Sequence, residues 1–343
     1  MLQHQELAEI KKYIENGSKI AITTHTNPDG DAIGSSLAIY HYLKRLGATV
    51  TAVVPNKFPG FLHWLNSSQD MVVFESDAKE AKKVLSEADL IFCLDYNALS
   101  RVGAVADDLK SATAKRILID HHIAPETESF NYIISDVTSS STCELVYEFI
   151  VAMGDEAIID RIISESIYTG IITDTGSFSH SCNNGKTYKI TANLIDKGVD
   201  AKKIHGLIFD TFSENRLRLL GYSISSRMLV WKELKTALIY LTREDLKKHE
   251  YQVGDTEGIV NFALSMENVN MAVLVTEKDK KVRLSFRSKG DFSVNDLCRN
   301  HFNGGGHRNA AGGKSSKPIM ETIDEIKAVV MTYQDDLNYE VKY

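Results

Sequence analysis

The sequence predicts an α/β protein of two domains, the first built on a mostly parallel sheet flanked by helices. At 343 residues the chain exceeds what one hydrophobic core usually serves. Short apolar runs alternate with helix-period runs across residues 1–190, the pattern of strand–helix–strand crossovers. A separate series of strand-like runs begins after residue 221. The expected division is therefore 1–190, a helical connection at 191–221, and a smaller α/β domain at 222–343.

The elements follow in order. "MLQHQELAEIKKYIENG" is charged and periodic, like a surface helix, and has no apolar stretch leading to a small-residue cleavage site, so no secretory leader is expected. "KIAITTH" reads as a strand and "IGSSLAIYHYLKRLG" as a helix closed by Gly47. Next come "ATVTAVVP" (strand), "AKEAKKVLSEA" (helix), "DLIFCLDY" (strand) and "AKRILIDHH" (strand). "STCELVYEFIVAMG" is a helix stopped at Gly154, and "AIIDRIISESIYTGIITDTG" a longer helix-like run. Residues 188–221 are helical and mixed. "TALIYLTREDL", "MAVLVTEKD" and "KVRLSFRSKG" supply the strands of the second domain, and a glycine cluster, "FNGGGHRNAAGG", lies near its end.

Composition narrows the function. The chain is 43% hydrophobic and 25% charged, as ordinary globular proteins are. It has no apolar run of about 18 residues, so no membrane partner is expected. Its four cysteines are scattered without a CxxC pair, which argues against zinc–thiolate sites and fits a reducing compartment; cytoplasm is the expected location. The net charge of −7 is uneven: residues 222–343 hold 18 Lys+Arg and 17 Asp+Glu, the remainder 21 and 29. A protein that tracks long nucleic acid carries a broad basic face, which this balance does not suggest.

Five segments carry chemistry: His25-x3-Asp29-x-Asp31, Asp95 after "LIFCL", Asp120-His121-His122 after "RILI", Asp174 in "GIITDTGSF", and the downstream "GGGH" with His307. Singly, each has an ordinary explanation. "NPDGD" makes a good turn, and an Asp after a strand is commonly a helix cap. Together they place carboxylates and imidazoles where apolar runs end, on one expected rim of the sheet, where sites in such sheets lie. Hard divalent cations take oxygen ligands, with imidazole added for manganese-like ions. Two such ions need a shared carboxylate and several terminal ligands.

The segments "HTNPDGDAIGS", "DYN", "DHH" and "TDTGSF" resemble the four motifs of the DHH phosphoesterase superfamily, and "GGGHRNAAG" resembles the nucleotide-gripping motif of its DHHA1 domain. The resemblance spans nearly the whole chain. In layout it is nearest to the NrnA-type enzymes, which degrade very short RNA and dephosphorylate 3′-phosphoadenosine 5′-phosphate. It implies that His25, Asp29 and Asp95 hold one divalent ion and that Asp31, Asp95, His121 and Asp174 hold another, with Asp95 bridging. Manganese is favoured, with magnesium or cobalt as alternatives. Asp120 would orient a neighbouring histidine. His122 would face the scissile phosphate, either stabilising charge or protonating the leaving oxygen.

In the second domain, Gly304, Gly305 and Gly306 would let backbone amides approach a phosphate. His307 and Arg287 would add side-chain contacts, assisted by Ser288. Asn303 stands where relatives often carry a further glycine, and a side chain there would narrow the pocket or add a hydrogen bond. The expected activity is metal-dependent hydrolysis of short oligoribonucleotides to mononucleotides, of 3′-phosphoadenosine 5′-phosphate, or of both. A dinucleotide phosphodiesterase is the alternative enzyme, and a non-catalytic nucleotide-binding protein the alternative class. The expected partner is a short RNA or nucleotide rather than a long duplex, and a homodimer is compatible with this reading.

Overall fold

Strands form where the sequence runs apolar without helical spacing. The structure, a computed structural model, describes residues 2–278 and 281–341. The chain divides into two compact units, Met1–Thr211 and Phe212–Tyr343.

The first unit runs α1 (His4–Glu15), β1 (Lys19–Thr23), α2 (Gly30–Arg45), β2 (Thr49–Val54), β3 (Val72–Val73), α3 (Ala78–Glu87), β4 (Leu90–Leu94), α4 (Ala106–Ser111), β5 (Lys115–Asp120), β6 (Tyr132–Ser135), α5 (Thr142–Ala152), α6 (Arg161–Asp174), α7 (Gly185–Asp196) and α8 (Ala201–Phe209). Its six strands lie in the order β3-β2-β1-β4-β5-β6, every pairing parallel. Helices cover both faces. Ile22, Phe92 and Ile119 pack with α2, α5 and α6 on one side. Ala21, Ile91, Cys93 and Leu118 pack with α3 and α4 on the other. Burial on both faces explains why these strands read as continuous apolar runs rather than as alternating ones.

Strand order reverses between β1 and β4, the neighbours at the centre of the sheet. Connections leave the sheet in opposite directions there and open a crevice at the carboxyl ends of the two strands. Helices α2 and α6 approach very closely beside it. A Cβ on Gly30 would lie 2.2 Å from Thr173 Oγ1, and one on Gly34 2.5 Å from the Ser166 carbonyl, so only glycine permits this packing.

The second unit runs α9 (Glu214–Ser226), β7 (Met228–Trp231), β8 (Thr236–Leu241), α10 (Arg243–Lys248), α11 (Ile259–Leu264), β9 (Met271–Lys278), β10 (Lys281–Ser288), α12 (Val294–His301), β11 (Gly305–His307), β12 (Ala310–Ser315), α13 (Ile319–Thr332) and α14 (Gln334–Leu337). Asp279, the last residue of the run expected as β9, lies outside the described residues. The sheet order is β11-β12-β10-β9-β8-β7, antiparallel except for the β8–β9 pair. α12 and α13 pack on one face, while residues from α9, α10 and α11 pack on the β8–β9 part of the other.

Residues 191–221 are helical but packed rather than spanning. Leu194, Ile204 and Ile208 belong to the core of the first unit. Leu219, on α9, belongs to a core of the second. All four cysteines are buried thiols. Among the described residues no helix is long and apolar enough to cross a membrane.

Candidate metal centre

The crevice at the β1–β4 switch collects most of the singled-out residues of the first unit. His25 follows β1 by two residues, Asp95 follows β4 directly, and Asp120-His121-His122 closes β5. Asp29 and Asp31 enter differently. Asp29 is the N-cap of α2, its Oδ1 accepting from the amides of Asp31 and Ala32 at 3.1 Å each. The turn reading holds for Asp29, and its other oxygen faces His25 Nε2 at 3.9 Å, where it could serve as a ligand.

Asp31 sits in the first turn of α2 and Asp174 at the C-terminal end of α6. The expectation that these ligand types cluster at strand ends is corrected by these two residues. Helix termini supply them because α2 and α6 pack tightly enough to bring their ends to the same rim.

Asp95 joins two donor sets. Its Oδ2 lies 3.2 Å from His25 Nε2, and its Oδ1 lies 3.7 Å from both His121 Nε2 and His122 Nδ1. His121 Nε2 also faces Asp174 Oδ2 at 3.3 Å and Asp31 Oδ2 at 3.7 Å. One candidate cation site comprises His25, Asp29 and Asp95, and a second comprises Asp31, Asp95 and His121. The backbone at Asp95 has φ +63°, a left-handed conformation uncommon outside glycine, held by its amide donating to the Ile119 carbonyl. Such strain persists where surrounding structure imposes it, often at functional sites.

The donor chemistry fits divalent cations. His25 Nδ1 meets the Thr26 carbonyl at 2.9 Å and His121 Nδ1 meets the Ser139 carbonyl at 3.3 Å. A carbonyl only accepts, so in each neutral ring the proton sits on Nδ1 and the Nε2 lone pair points at carboxylates. These atoms could share a bound cation, or a proton on the ring could join them.

The titration tendencies reflect the crowding of carboxylates around the imidazoles. Burial, Asp95 and Asp174 push the Asp31 carboxyl well above its usual range. Burial lowers the His121 imidazole, but Asp174, Asp31 and Asp95 outweigh it and push it up to about 9. Burial would raise Asp95, yet the hydrogen bond and charge of His25 hold it below the usual carboxylate range.

His122 differs from the other two histidines. Its Nδ1 lies 2.6 Å from Asp120 Oδ1, and Asp120 is fully buried. Burial and the nearby Arg101 charge hold the His122 imidazole well below its ordinary value.

Several supporting groups were not legible in the sequence. The amides of Thr142 and Cys143, at the start of α5, donate to the two oxygens of Asp31 at 2.6 and 2.9 Å. The Thr142 hydroxyl donates to Asp95 Oδ1 at 3.0 Å. Glu144, fully buried, fastens this turn: it accepts from the Ser140 hydroxyl at 2.6 Å and the Thr187 hydroxyl at 2.7 Å, and meets Lys186 Nζ at 3.0 Å. Backbone donors have no letter of their own. The serine–threonine run before "CELV" was the available signal, since Ser141 caps α5 by accepting from the Glu144 amide.

The second unit places its candidates on the β11–β12–β10 edge, where His307 and Arg287 stand at one register level, each opposite Ala310. Two expectations are corrected here. Ser288 is buried, its hydroxyl donating to the Phe292 carbonyl at 2.7 Å and accepting from Asn309 at 2.9 Å, so it shapes the loop rather than touching a ligand. The glycines build a strand more than an amide cradle. The Gly304 amide donates to the Cys298 carbonyl and the Gly306 amide to Asn295 Oδ1. A Cβ on Gly304 would lie 1.9 Å from the Gly312 carbonyl, and one on Gly306 2.5 Å from the Ala310 carbonyl, so glycine is what lets β11 close on β12. Asn303 is exposed with φ +47°, a turn position that asparagine tolerates.

Comparison with known proteins agrees with this layout. Residues 19–171 match the DHH family, N-terminal domain, and residues 235–334 match the DHHA1 domain. An exopolyphosphatase-related protein from Bacteroides fragilis is similar in structure, with TM-score 0.92 and 40% identity over 98% of both chains. The bifunctional oligoribonuclease and PAP phosphatase NrnA of Thermus thermophilus is 29% identical over 89% of this chain and 86% of its own length. Its namesake in Bacillus subtilis is 25% identical over 89% and 91%. RecJ from Thermus thermophilus, in complex with Mn2+, shares the fold at TM-score 0.60 and 13% identity, over 98% of this chain and 55% of that one.

With the carboxylate–imidazole rim in place, these likenesses define the molecule as a phosphoesterase, a hydrolase. The chain belongs to the DHH family, with a DHHA1 domain following its N-terminal domain.

Proposed function

We propose that the protein hydrolyses short oligoribonucleotides to mononucleotides, 3′-phosphoadenosine 5′-phosphate, or both, with two divalent cations, manganese favoured, at the first unit. The observation that carries this is Asp95, whose two oxygens face two separate donor sets. The NrnA names of two relatives support the substrate class.

When bound, two such ions neutralise a phosphate and acidify an attacking water. His25, Asp29 and Asp95 would hold one, and Asp31, Asp95, His121 and Asp174 the other. The amides at the start of α5 fix the Asp31 carboxylate, and the Ser139 and Thr26 carbonyls fix the imidazole tautomers. Asp120 orients His122, which faces the departing oxygen or stabilises its charge. Arg287 and His307 grip the remainder of the substrate.

The test is a hydrolysis panel with added manganese: RNA of two to about twenty nucleotides, the bisphosphate, a cyclic dinucleotide and linear polyphosphate. Preference for RNA below about five nucleotides, or for the bisphosphate, is expected from the near-neutral charge of the second unit. Cleavage of polyphosphate or the cyclic dinucleotide alone would overturn the assignment.

A further inference from the structure

We infer that Arg101 is a catalytic residue, its guanidinium donating to a non-bridging oxygen of the phosphate that the first unit hydrolyses. This deepens the preceding reading of the metal centre and rests on it.

Three loops meet at this residue. Arg101 follows Asp95 by six residues, in the 3-10 stretch Leu99–Val105. The loop between them is fastened to the one that carries His121 and His122. The Asn97 side-chain amide donates to the Ile123 carbonyl at 2.7 Å, the Glu126 amide to the Asn97 carbonyl at 2.7 Å, and the Leu99 amide to Glu126 Oε2 at 3.0 Å. On the other side, the Arg101 carbonyl accepts from both the amide and the hydroxyl of Thr26, at 2.9 and 3.1 Å. Thr26 adjoins His25. Arg101 is thus held among the segments that supply His25, Asp95 and His122.

The backbone does this fastening, and the side chain takes no part in it. Among the described residues the guanidinium makes no hydrogen bond and no ion pair, although the residue is half-buried. Its charge is felt at both His25 and His122, where it opposes protonation. Those two imidazoles face different oxygens of Asp95, His25 Nε2 at 3.2 Å from Oδ2 and His122 Nδ1 at 3.7 Å from Oδ1. The cation therefore stands beside the crevice. A guanidinium partly withdrawn from water and left unpaired is costly, and its planar fork of donors matches a phosphate.

Charge balance gives the fork a use. Asp29, Asp31, Asp95 and Asp174 carry four negative charges, which two divalent cations would only cancel. A phosphodiester and an attacking hydroxide bring further negative charge. That charge spreads over the non-bridging oxygens as the attack proceeds. A fixed donor aimed there stabilises the transition state more than the ground state. Arginine stays charged at every working pH, which the neighbouring histidines do not.

The experiment compares the wild type with Arg101→Gln on the preferred nucleotide of the panel and on bis(p-nitrophenyl) phosphate, with manganese. On both, kcat should fall about 100-fold or more while KM rises about tenfold at most. Manganese affinity, read by titration calorimetry without substrate, should stay within about threefold, because the side chain holds no ligand residue. Inorganic phosphate should bind the manganese-loaded variant about tenfold more weakly than the wild type. A kcat within about threefold of the wild type, a manganese affinity that falls with the activity, or equal phosphate binding would each overturn the inference. If the wild type hydrolyses none of the nucleotides, the substrate assignment fails alone, and the diester and the phosphate titration still judge Arg101. Manganese-loaded wild type that neither cleaves the diester nor binds phosphate would refute both readings.

Discussion

Asp95→Asn tests the shared-carboxylate geometry most directly. Asparagine has the same shape and tolerates the left-handed backbone at this position, φ +63°, so the loop after β4 should survive. The substitution removes one charge from both donor sets, since Asp95 Oδ2 faces His25 and Oδ1 faces His121. A cation at one hundred times its Kd stabilises the folded state by about 2.7 kcal/mol, so two filled sites contribute about 5 kcal/mol. In a unit of this size each kcal/mol moves Tm by about 2–4 °C, so manganese should raise the wild-type Tm by about 10–20 °C. In Asp95→Asn the rise should shrink below about 5 °C, as both sites lose their common ligand. Asp29→Asn is the contrast. Asp29 belongs to one set only, and asparagine caps a helix as well as aspartate does. That variant should keep about half of the wild-type rise. Calorimetry on chelator-stripped protein, with and without manganese chloride, reads all three. A full wild-type rise in Asp95→Asn, or an equal loss in Asp29→Asn, would refute the bridging arrangement.

Glu144→Gln removes the ion pair with Lys186 beneath the α5 turn while keeping the side chain's volume. Titration calorimetry should show manganese affinity about tenfold weaker, as for other groups that orient metal ligands; a lower Tm with unchanged affinity would limit Glu144 to a structural role. In the second unit, Asp245 accepts from Arg227 Nε at 2.9 Å, Arg227 Nη2 at 2.8 Å and the Tyr222 hydroxyl at 2.8 Å. Burial opposes ionisation of Asp245, but these bonds and those from Thr242 hold it below the usual carboxylate range. Its stabilisation is therefore complete above an unfolded-state pKa of about 3.9 and is lost as pH falls toward the folded value. Asp245→Asn should cost about 3 kcal/mol at pH 7 and flatten the acid limb of a melt-against-pH profile; an unchanged acid limb would show the pair to be incidental.

Much of the site was readable because its residues mark chain events that the sequence announces. Asp95 and Asp120 follow apolar runs, and a parallel sheet sends every such run to one edge. His25 and Asp29 bracket a Pro–Gly turn between a strand and a helix. The tight α2–α6 contact was not readable. It depends on Gly30 and Gly34 meeting Thr173 and Ser166 more than 130 residues away, a distance in sequence that no local pattern spans. Asp174 closes the helix-like run expected there, but nothing local placed it beside His121.

The glycine cluster shows the same division from the other side. A run of three glycines before His307 signals close backbone approach, and the approach is real. Its object is a neighbouring strand, β12, because the Gly304 and Gly306 amides are already bonded within the fold. Ser288, one residue from Arg287, has opposite surroundings because strand alternation sends it inward.

The sequence by itself determined the residue types, their order and the α/β class, since these rest on local periodicity and on chemistry that each side chain carries alone. Only the tertiary structure decided which oxygen of Asp95 faces which imidazole, and that the amides of α5 grip Asp31. It alone pinned the Arg101 carbonyl to Thr26. Those are relations between groups distant in sequence, and they exist only once strand register and helix packing have been chosen.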